Sequence, residues 1–211
     1  EQWKATTELA SKSPNNRVML THNGANNSDP PGDGVAFRWD NLNSDQQNDL
    51  RTDASGTEES EAAGQARLNY LRGDDTDEGT GRKFRTRSSK LGDIINSTAI
   101  HVGAPPLNNM DDVFIPSKPY SAFKKTYKDR SPMVYVGAND GALHGFNANT
   151  GEELIAYLPG NLFSSNPNKG YHYLTESTYQ HRYYVDGTPH VMDAPMRVNS
   201  SGVSDWRTIL I

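Results

Sequence analysis

Cysteine is absent from this chain of 211 residues, which excludes disulfide bonds, cysteine-ligated zinc and thiol catalysis. Long apolar runs are missing as well: no stretch approaches the roughly 18 apolar residues that a membrane-spanning helix needs. Positive charge is scarce, since 21 Lys and Arg residues stand against 26 Asp and Glu residues and leave a net charge of -5. A dedicated nucleic-acid binder usually carries a basic domain, so we expect no nucleic-acid partner.

Apolar residues are also few. Only 34% of the residues are hydrophobic, the mean hydropathy is -0.80, and the chain holds 18 Gly and 12 Pro residues. This composition favours a loop-rich protein built mainly from β-strands over a helical bundle. A chain of this length can still bury a hydrophobic core.

Residues 134–158, VYVGANDGALHGFNANTGEELIAYL, form the best-specified structural unit of the chain. Short runs that alternate apolar with polar or small residues predict strands. The runs are separated by NDG at 139–141 and NTG at 149–151, where glycine accepts positive φ without a Cβ clash. Three short antiparallel strands joined by two tight turns are typical of a β-propeller blade.

This unit resembles the repeat of quinoprotein-type propellers, V-Y-V-G-x-x-D-G-x-L-x-A-x-D-A-x-T-G. Flanking segments extend the resemblance: AFRW at 36–39, RLNYLRGD at 67–74, LGDIINS at 91–97, HRYYVDGTP at 181–189 and WRTIL at 206–210. In this order they resemble the propeller-containing portion of the PilY1/PilC family, which are type IV pilus tip and biogenesis proteins. The resemblance runs from about Val35 to the last residue.

The resemblance implies a mainly β fold. An irregular, partly helical lead-in or insertion over residues 1–96 would precede an incomplete β-propeller of quinoprotein-like blades over residues 97–211. It also implies a non-enzymatic protein of the bacterial cell surface, at the pilus tip and associated with the outer membrane. The expected function is that of a tip adhesin and assembly factor in pilus biogenesis, surface attachment and twitching motility. Its expected partners are minor pilins and the pilus fibre, with a host-cell or abiotic surface as the attachment target.

Two alternatives stay open: a quinoprotein-type dehydrogenase and a general propeller scaffold of envelope assembly. A dehydrogenase of that type holds its quinone at the centre of a complete propeller, with calcium and often a vicinal cysteine pair. This chain has no cysteine and too few blades to enclose a cofactor, so we expect no quinone. No nucleophile, general base and orienting group form one constellation in the sequence, so we predict no enzyme.

Arg72-Gly73-Asp74 is the tripeptide that many integrins recognise, and it is the candidate adhesion site. An exposed loop just after a helix would present the guanidinium and the carboxylate at opposite ends. The competing interpretation is structural: Gly73 is well placed to end the helix, and so short a pattern also arises by chance.

The acidic loop that follows is the candidate calcium site. Its hard oxygen donors, which suit calcium, are the carboxylates of Asp74, Asp75, Asp77 and Glu78. The EF-hand frame is incomplete because Gly79 falls one position early. A merely solvated acidic loop is the competing interpretation, and a calcium site elsewhere in a longer protein is another.

The basic run RKFRTRSSK at 82–90 is the candidate surface for an acidic or phosphate-bearing partner. The competing interpretation is that the run balances the charge of the acidic loop before it, or that alternate side chains face solvent along a strand. The six histidines, by contrast, form no zinc-binding pattern and are expected to be strand and loop residues with satisfied hydrogen bonds.

Residues 58–72 predict the longest helix, with acidic residues at its start and Gly73 as the residue that ends it. A shorter helix is predicted with Ser44 as N-cap and Gln47 at the N3 position. Residues 23–34 predict a long loop. Short strands are predicted at 17–21, 35–39, 97–102, 183–186, 190–193 and 206–211.

The last predicted strand, at 206–211, has no partner after it in the sequence. An unpaired strand exposes its hydrogen-bonding edge, which folded proteins usually avoid. We therefore interpret the chain as a piece of a longer protein.

Overall fold

The computed structural model of the chain describes residues 2–24, 34–108, 111, 117–197 and 204–211. The strands in this part of the chain are β1 (Met19–His22), β2 (Gly34–Ala36), β3 (Ile100–Val102), β4 (Met133–Gly137), β5 (Leu143–Asn147), β6 (Glu153–Leu158), β7 (Val191–Arg197) and β8 (Ser204–Leu210). The α-helices are α1 (Ala5–Ser11), α2 (Ser44–Arg51), α3 (Glu61–Leu71), α4 (Tyr120–Tyr127) and α5 (Gly170–Tyr173).

The strands form a six-stranded sheet and a separate hairpin. In the larger sheet, β3, β4, β5 and β6 make an antiparallel meander with the architecture of one propeller blade. β1 pairs in parallel with β6, and β2 pairs antiparallel with β1. β7 and β8 form the hairpin. Within the described residues, therefore, one blade, two added strands and one further hairpin are present, and no closed propeller.

The predicted strands and turns of residues 134–158 are confirmed. Val134 lies opposite Phe146 in the antiparallel β4–β5 ladder, and β5 pairs with β6 in the same sense. Gly141 has φ of +93° and Gly151 has φ of +76°, so both turns use the backbone region that glycine enters at little cost. Local turn chemistry thus sets the path of the chain through the blade.

The predicted helix over residues 58–72 is confirmed as α3, although it begins three residues late. Ser60 is the N-cap, and its side chain accepts a hydrogen bond from the backbone N–H of Ala63. Glu58 and Glu59 lie before the helix. Glu59 forms an ion pair with Arg67 of α3, whereas Glu58 forms one with Arg51 of α2. The predicted terminator is Gly73, which has φ of +103°.

The predicted N-cap of α2 is wrong by one residue. Asn43, and not Ser44, accepts the hydrogen bond from the N3 backbone, and Gln46 completes the capping box where Gln47 was expected. Both choices satisfy local capping chemistry. The tertiary contact decides, because the Gln46 side chain also donates to the carbonyl of His22 at 3.0 Å.

Two strand predictions also need correction. Residues 183–186 form no strand, because side chains bind this segment in place of a ladder: the Tyr184 N–H donates to Asn139 Oδ1, and Asp186 accepts from the Asn96 N–H. The last strand does have a partner, since β8 pairs with β7 from Val191 to Arg197. The sequence pattern had indicated only residues 190–193 of that partner.

The lead-in and the blade share one hydrophobic core. Phe37 and Leu50 from the lead-in lie in the same buried cluster as Ala156 and Leu158 from β6. Burying a large apolar side chain contributes about 1.5–3 kcal/mol. A second cluster packs Leu9 of α1 against β4 and β5. The domain division at 96/97 stays a prediction, and the sheet takes strands from both sides of it.

Most of the predicted loop at 23–34 lies outside the described residues. Among the helices that are described, none is long and apolar enough to cross a membrane.

Candidate functional site

The three residues of the candidate adhesion tripeptide have different environments. Arg72 is 2% exposed, and its guanidinium donates to the backbone carbonyls of Phe37, Pro14 and Arg17 at 2.8–3.1 Å. Burial lowers the pKa of Arg72 to about 10, and neighbouring cations add to the effect. An integrin-type contact would require this guanidinium to leave three carbonyls. Adhesion through the tripeptide stays a prediction.

Asp74, the acidic member of the tripeptide, begins a small turn. Its carboxylate accepts hydrogen bonds from the Thr76 side chain at 2.6 Å and the Thr76 N–H at 2.9 Å, which together hold the pKa of Asp74 below its usual range. Asp75 and Asp77 are exposed. Glu78 is instead engaged by Arg87, which donates to both carboxylate oxygens.

The acidic residues therefore do not converge on one point. In the part of the chain that the structure describes, no group of three or more acidic or histidine residues has the arrangement of a metal site. Calcium binding by Asp74, Asp75, Asp77 and Glu78 stays a prediction.

Most cationic side chains of the basic run that the structure describes form hydrogen bonds or ion pairs within the chain. Arg85 donates to the carbonyl of Leu174 at 2.7 Å, and Lys90 donates to the carbonyls of Ala10 and Lys12 at 3.1 and 2.9 Å. Arg87 balances Glu78 of the acidic loop. These contacts favour the charge-balance interpretation, while Arg82 and Lys83 remain exposed.

A buried charge network joins the lead-in to the blade, and sequence reasoning missed it. Arg17 donates twice to Glu153, at 2.7 and 2.8 Å. Glu153 Oε1 lies 2.8 Å from His144 Nδ1, and the other ring nitrogen lies 3.0–3.1 Å from both oxygens of Asp140. Asp140 also accepts from the Gly92 N–H at 2.9 Å. The Asp140 and His144 spacing of four residues across a tight turn was the available signal.

The network holds its groups in charged forms. Burial alone would lower the pKa of His144, but the facing carboxylates Asp140 and Glu153 outweigh it and raise that pKa to about 9. Burial alone would raise the pKa of Glu153, but Arg17 and His144 lower it to about 2. The imidazolium therefore donates from both nitrogens, one to each carboxylate. The prediction that the histidines have satisfied hydrogen bonds is confirmed for His144. It is wrong for His172, which lies in α5 and whose buried Nε2 has no hydrogen-bond partner among the described residues.

The chain also carries an open cavity of about 870 Å³, which we call the polar groove. Its walls are the end of β1 with Asn23 and Gly24, the outer side of α2, the loop around Gly56 and the segment 160–165. Tyr157 of β6 lies between them. The side chains that line it include Asp45, Asn48, Glu58, Tyr157, Asn161 and Ser165.

The antiparallel meander of short strands with glycine turns places the chain among β-propeller proteins, and comparison with known sequences agrees. A family profile described as the PilY1 beta-propeller domain matches residues 91–211. The chain belongs to this PilY1 family, as the resemblance had indicated.

Curated relatives carry the corresponding names. The type IV pilus biogenesis factor PilY1 of Pseudomonas aeruginosa strain PAK is 42% identical over 179 residues, which cover 83% of this chain and 14% of the relative. The protein of the same name from strain UCBPP-PA14 is 35% identical over 100% of this chain and 17% of its own length. A PilY1 homolog of Xylella fastidiosa strain Temecula1 is 38% identical over 71% of this chain and 12% of the relative.

The chain thus spans about one seventh of the length of the relatives that it matches. No solved structure matches it.

Proposed function

We propose that this chain is part of a type IV pilus biogenesis factor that acts without catalysis at the bacterial cell surface. The observation that carries the proposal is membership of the PilY1 family, whose curated relatives are named for pilus biogenesis. In this proposal the protein acts at the pilus tip and the outer membrane, contacts minor pilins and the fibre, and supports surface attachment and twitching motility.

The non-enzymatic part of the proposal is supported by the burial of two Asp–His pairs. Asp49 and His172 lie 2.6 Å apart and are both fully buried, and His144 beside Asp140 is fully buried too. A histidine without access to solvent cannot meet a substrate as a general base. A third pair, Asp93 with His181, is exposed and lies outside the polar groove.

Rigidity supports a scaffold role. The buried network and the shared core tie the lead-in to the blade, so the loops at the ends of the strands project from one firm body. Such a body can present loops to a surface or to a partner with little loss of conformational entropy on binding. Calcium held by the acidic loop is retained as part of the proposal, because exposed carboxylates of Asp75 and Asp77 are available to it.

Deletion of the encoding gene tests the proposal. In the bacterium that carries the protein, we expect loss of sheared surface pili, smaller twitching zones and weaker attachment, with unchanged total pilin on immunoblots. Complementation with the full-length gene provides the control. Unchanged surface piliation, twitching and attachment in the deletion strain would contradict the proposal.

A further inference from the structure

We propose that the polar groove binds a neutral oligosaccharide. The proposal deepens the attachment part of the proposed function and rests on it for the biological setting. It concerns a different place from the adhesion tripeptide and the acidic loop. The volume of about 870 Å³ falls within the range of small-ligand sites and suits a chain of two or three sugar rings.

The charge of the groove excludes anionic ligands. None of the described residues that line it is Lys or Arg, and Asp45 and Glu58 are both acidic. Glu58 is already paired with Arg51 at 2.7 Å, which leaves Asp45 as the acid facing the groove without a cation. Phosphate, sulfate and sialylated ligands would meet the carboxylates of Asp45 and Glu58, with no Lys or Arg among the described lining residues to offset them.

The side chains that remain available match sugar hydroxyls. The amides of Asn48 and Asn161 and the hydroxyl of Ser165 are exposed, and in the described part of the chain the structure gives these side chains no other bond. An amide offers both donors and an acceptor, and a hydroxyl does the same. A sugar presents neighbouring hydroxyls, and each of them needs a hydrogen-bond donor and a hydrogen-bond acceptor as partners.

An aromatic ring supplies the apolar part of the site. Tyr157 is 37% exposed, although it lies in the middle of the six-stranded sheet, between Leu143 of β5 and Leu20 of β1. A tyrosine ring combines an apolar face with a polar tip, and the C–H face of a pyranose packs against such a surface. None of the described residues that line the groove is aliphatic, so a lipid chain would find no comparable partner among them.

The frame of the groove is already fixed. The side chains of Asn43 and Gln46 form the capping box of α2. They also donate hydrogen bonds to the carbonyls of Asn23 and His22, and these bonds hold α2 against the end of β1. On the other side, Asp49 of α2 accepts the backbone N–H of Ser164 at 2.8 Å. A site with fixed walls loses little conformational freedom when a ligand enters.

Binding of neutral sugars to the purified chain tests the proposal. The probes are cellotriose, maltotriose, lactose and triacetylchitotriose, with sialyllactose as the anionic probe and spermidine as the cationic one. We expect at least one neutral sugar to shift the amide resonances of the groove residues and to titrate in calorimetry. Sialyllactose and spermidine should not bind at the same concentrations.

Variants then locate the binding. Asn48→Ala and Asn161→Ala should each weaken binding about fivefold, the loss expected for one hydrogen bond. Tyr157→Ala should weaken it further, and an unchanged unfolding midpoint would separate ring loss from misfolding. Asn168→Ala, an exposed asparagine outside the groove, is the matched control and should bind as the wild type does.

Three results would overturn the proposal: no binding of any neutral probe, binding of spermidine alone, or sugar binding that Asn48→Ala and Asn161→Ala leave unchanged. In the full-length protein, these two variants should reduce attachment to a surface coated with the bound sugar and leave surface piliation intact. A deletion strain that keeps its pili would instead contradict the proposed function itself.

Discussion

At the scale of single residues, Glu153 is the carboxylate that binds both cations of the buried charge network. It is 1% exposed, receives two hydrogen bonds from Arg17 and faces His144. Removing its charge leaves a buried guanidinium and an imidazolium with less compensation, and such a loss costs far more than the intact pair contributes.

Glu153→Gln should therefore lower the free energy of unfolding by about 3–5 kcal/mol, measured by urea denaturation. The neighbouring Glu152→Gln is the matched control. Glu152 is mostly exposed and pairs with Lys12 at 3.0 Å, so its loss should cost less than about 1 kcal/mol. Equal effects of the two substitutions would mean that the buried network is not held by charge.

The same network predicts a pH dependence of stability. The pKa of His144 is raised to about 9, from about 6.5 in the unfolded chain, so its contribution is complete below about pH 6.5 and is lost as the pH rises through 9. The pKa of Glu153 is lowered to about 2, so its contribution is complete above about pH 4.5 and is lost as the pH falls toward 2.

The unfolding free energy, measured from pH 3 to pH 10, should accordingly be highest between about pH 4.5 and 6.5 and fall on both sides. His144→Gln should flatten the alkaline limb, because no imidazole then titrates. A wild-type curve that stays level from pH 6.5 to 9 would contradict the raised pKa of His144.

Asp74 is the residue that tests the adhesion tripeptide and the acidic loop together. Because Arg72 is buried and Asp74 binds its own turn, we expect Asp74→Glu to leave host-cell binding of the full-length protein unchanged. Asp74→Ala should likewise leave calcium affinity in isothermal titration calorimetry unchanged, because the carboxylates proposed to hold calcium are the exposed Asp75 and Asp77. Loss of cell binding in both variants would restore the tripeptide as the adhesion site. Loss of calcium binding in Asp74→Ala alone would add Asp74 to the calcium ligands.

At the scale of the element, the turn between β4 and β5 depends on a glycine. Gly141 has φ of +93°, and a Cβ added there would lie 2.6 Å from the ring of Tyr171. The turn therefore excludes a side chain for two reasons, backbone conformation and lack of space.

Gly141→Ala should lower the free energy of unfolding by about 2 kcal/mol or more, through backbone strain and overpacking combined. Gly187→Ala is the matched control, since a Cβ there would meet no atom within 4 Å. Thermal unfolding followed by circular dichroism compares the two. A Gly141→Ala protein as stable as the Gly187→Ala protein would show that the turn can rearrange.

At the scale of the whole molecule, the lead-in closes one side of the blade. Strand β1 covers the outer edge of β6, and the Arg17 that precedes it neutralises Glu153 within the blade. An uncovered edge strand presents unpaired N–H and C=O groups, which invite pairing with another chain.

A chain that lacks residues 1–24 should consequently self-associate and lose its cooperative unfolding transition. Light scattering coupled to gel filtration measures the first effect, and thermal denaturation the second. A chain that lacks only residues 1 and 2 is the control. A monomeric truncated chain with an unchanged transition would mean that the blade does not depend on residues 1–24, which a domain boundary at 96/97 would also require.

The sequence by itself determined the elements whose causes are local. Residues 139–141 and 149–151 specify their turns because glycine at positive φ is a property of a few neighbouring residues. Gly73 ends α3 for the same reason. The short strands of the blade follow from their alternation, and the ordered motifs from 36 to 210 are characteristic of the PilY1 family without any knowledge of tertiary contacts.

Only the tertiary structure decided which of these elements meet. Arg17 and Glu153 are 136 residues apart, and no periodicity marks a contact across such a distance. The burial of Arg72 is equally nonlocal, because its three carbonyl partners come from positions 14, 17 and 37. The sequence pattern predicted Ser44 as the N-cap of α2, whereas the structure uses Asn43, and the Gln46 of its capping box also contacts the carbonyl of His22. Turn geometry is set within a few neighbouring residues. Buried ion pairs and the choice of N-cap depend instead on contacts with residues that are distant in the sequence.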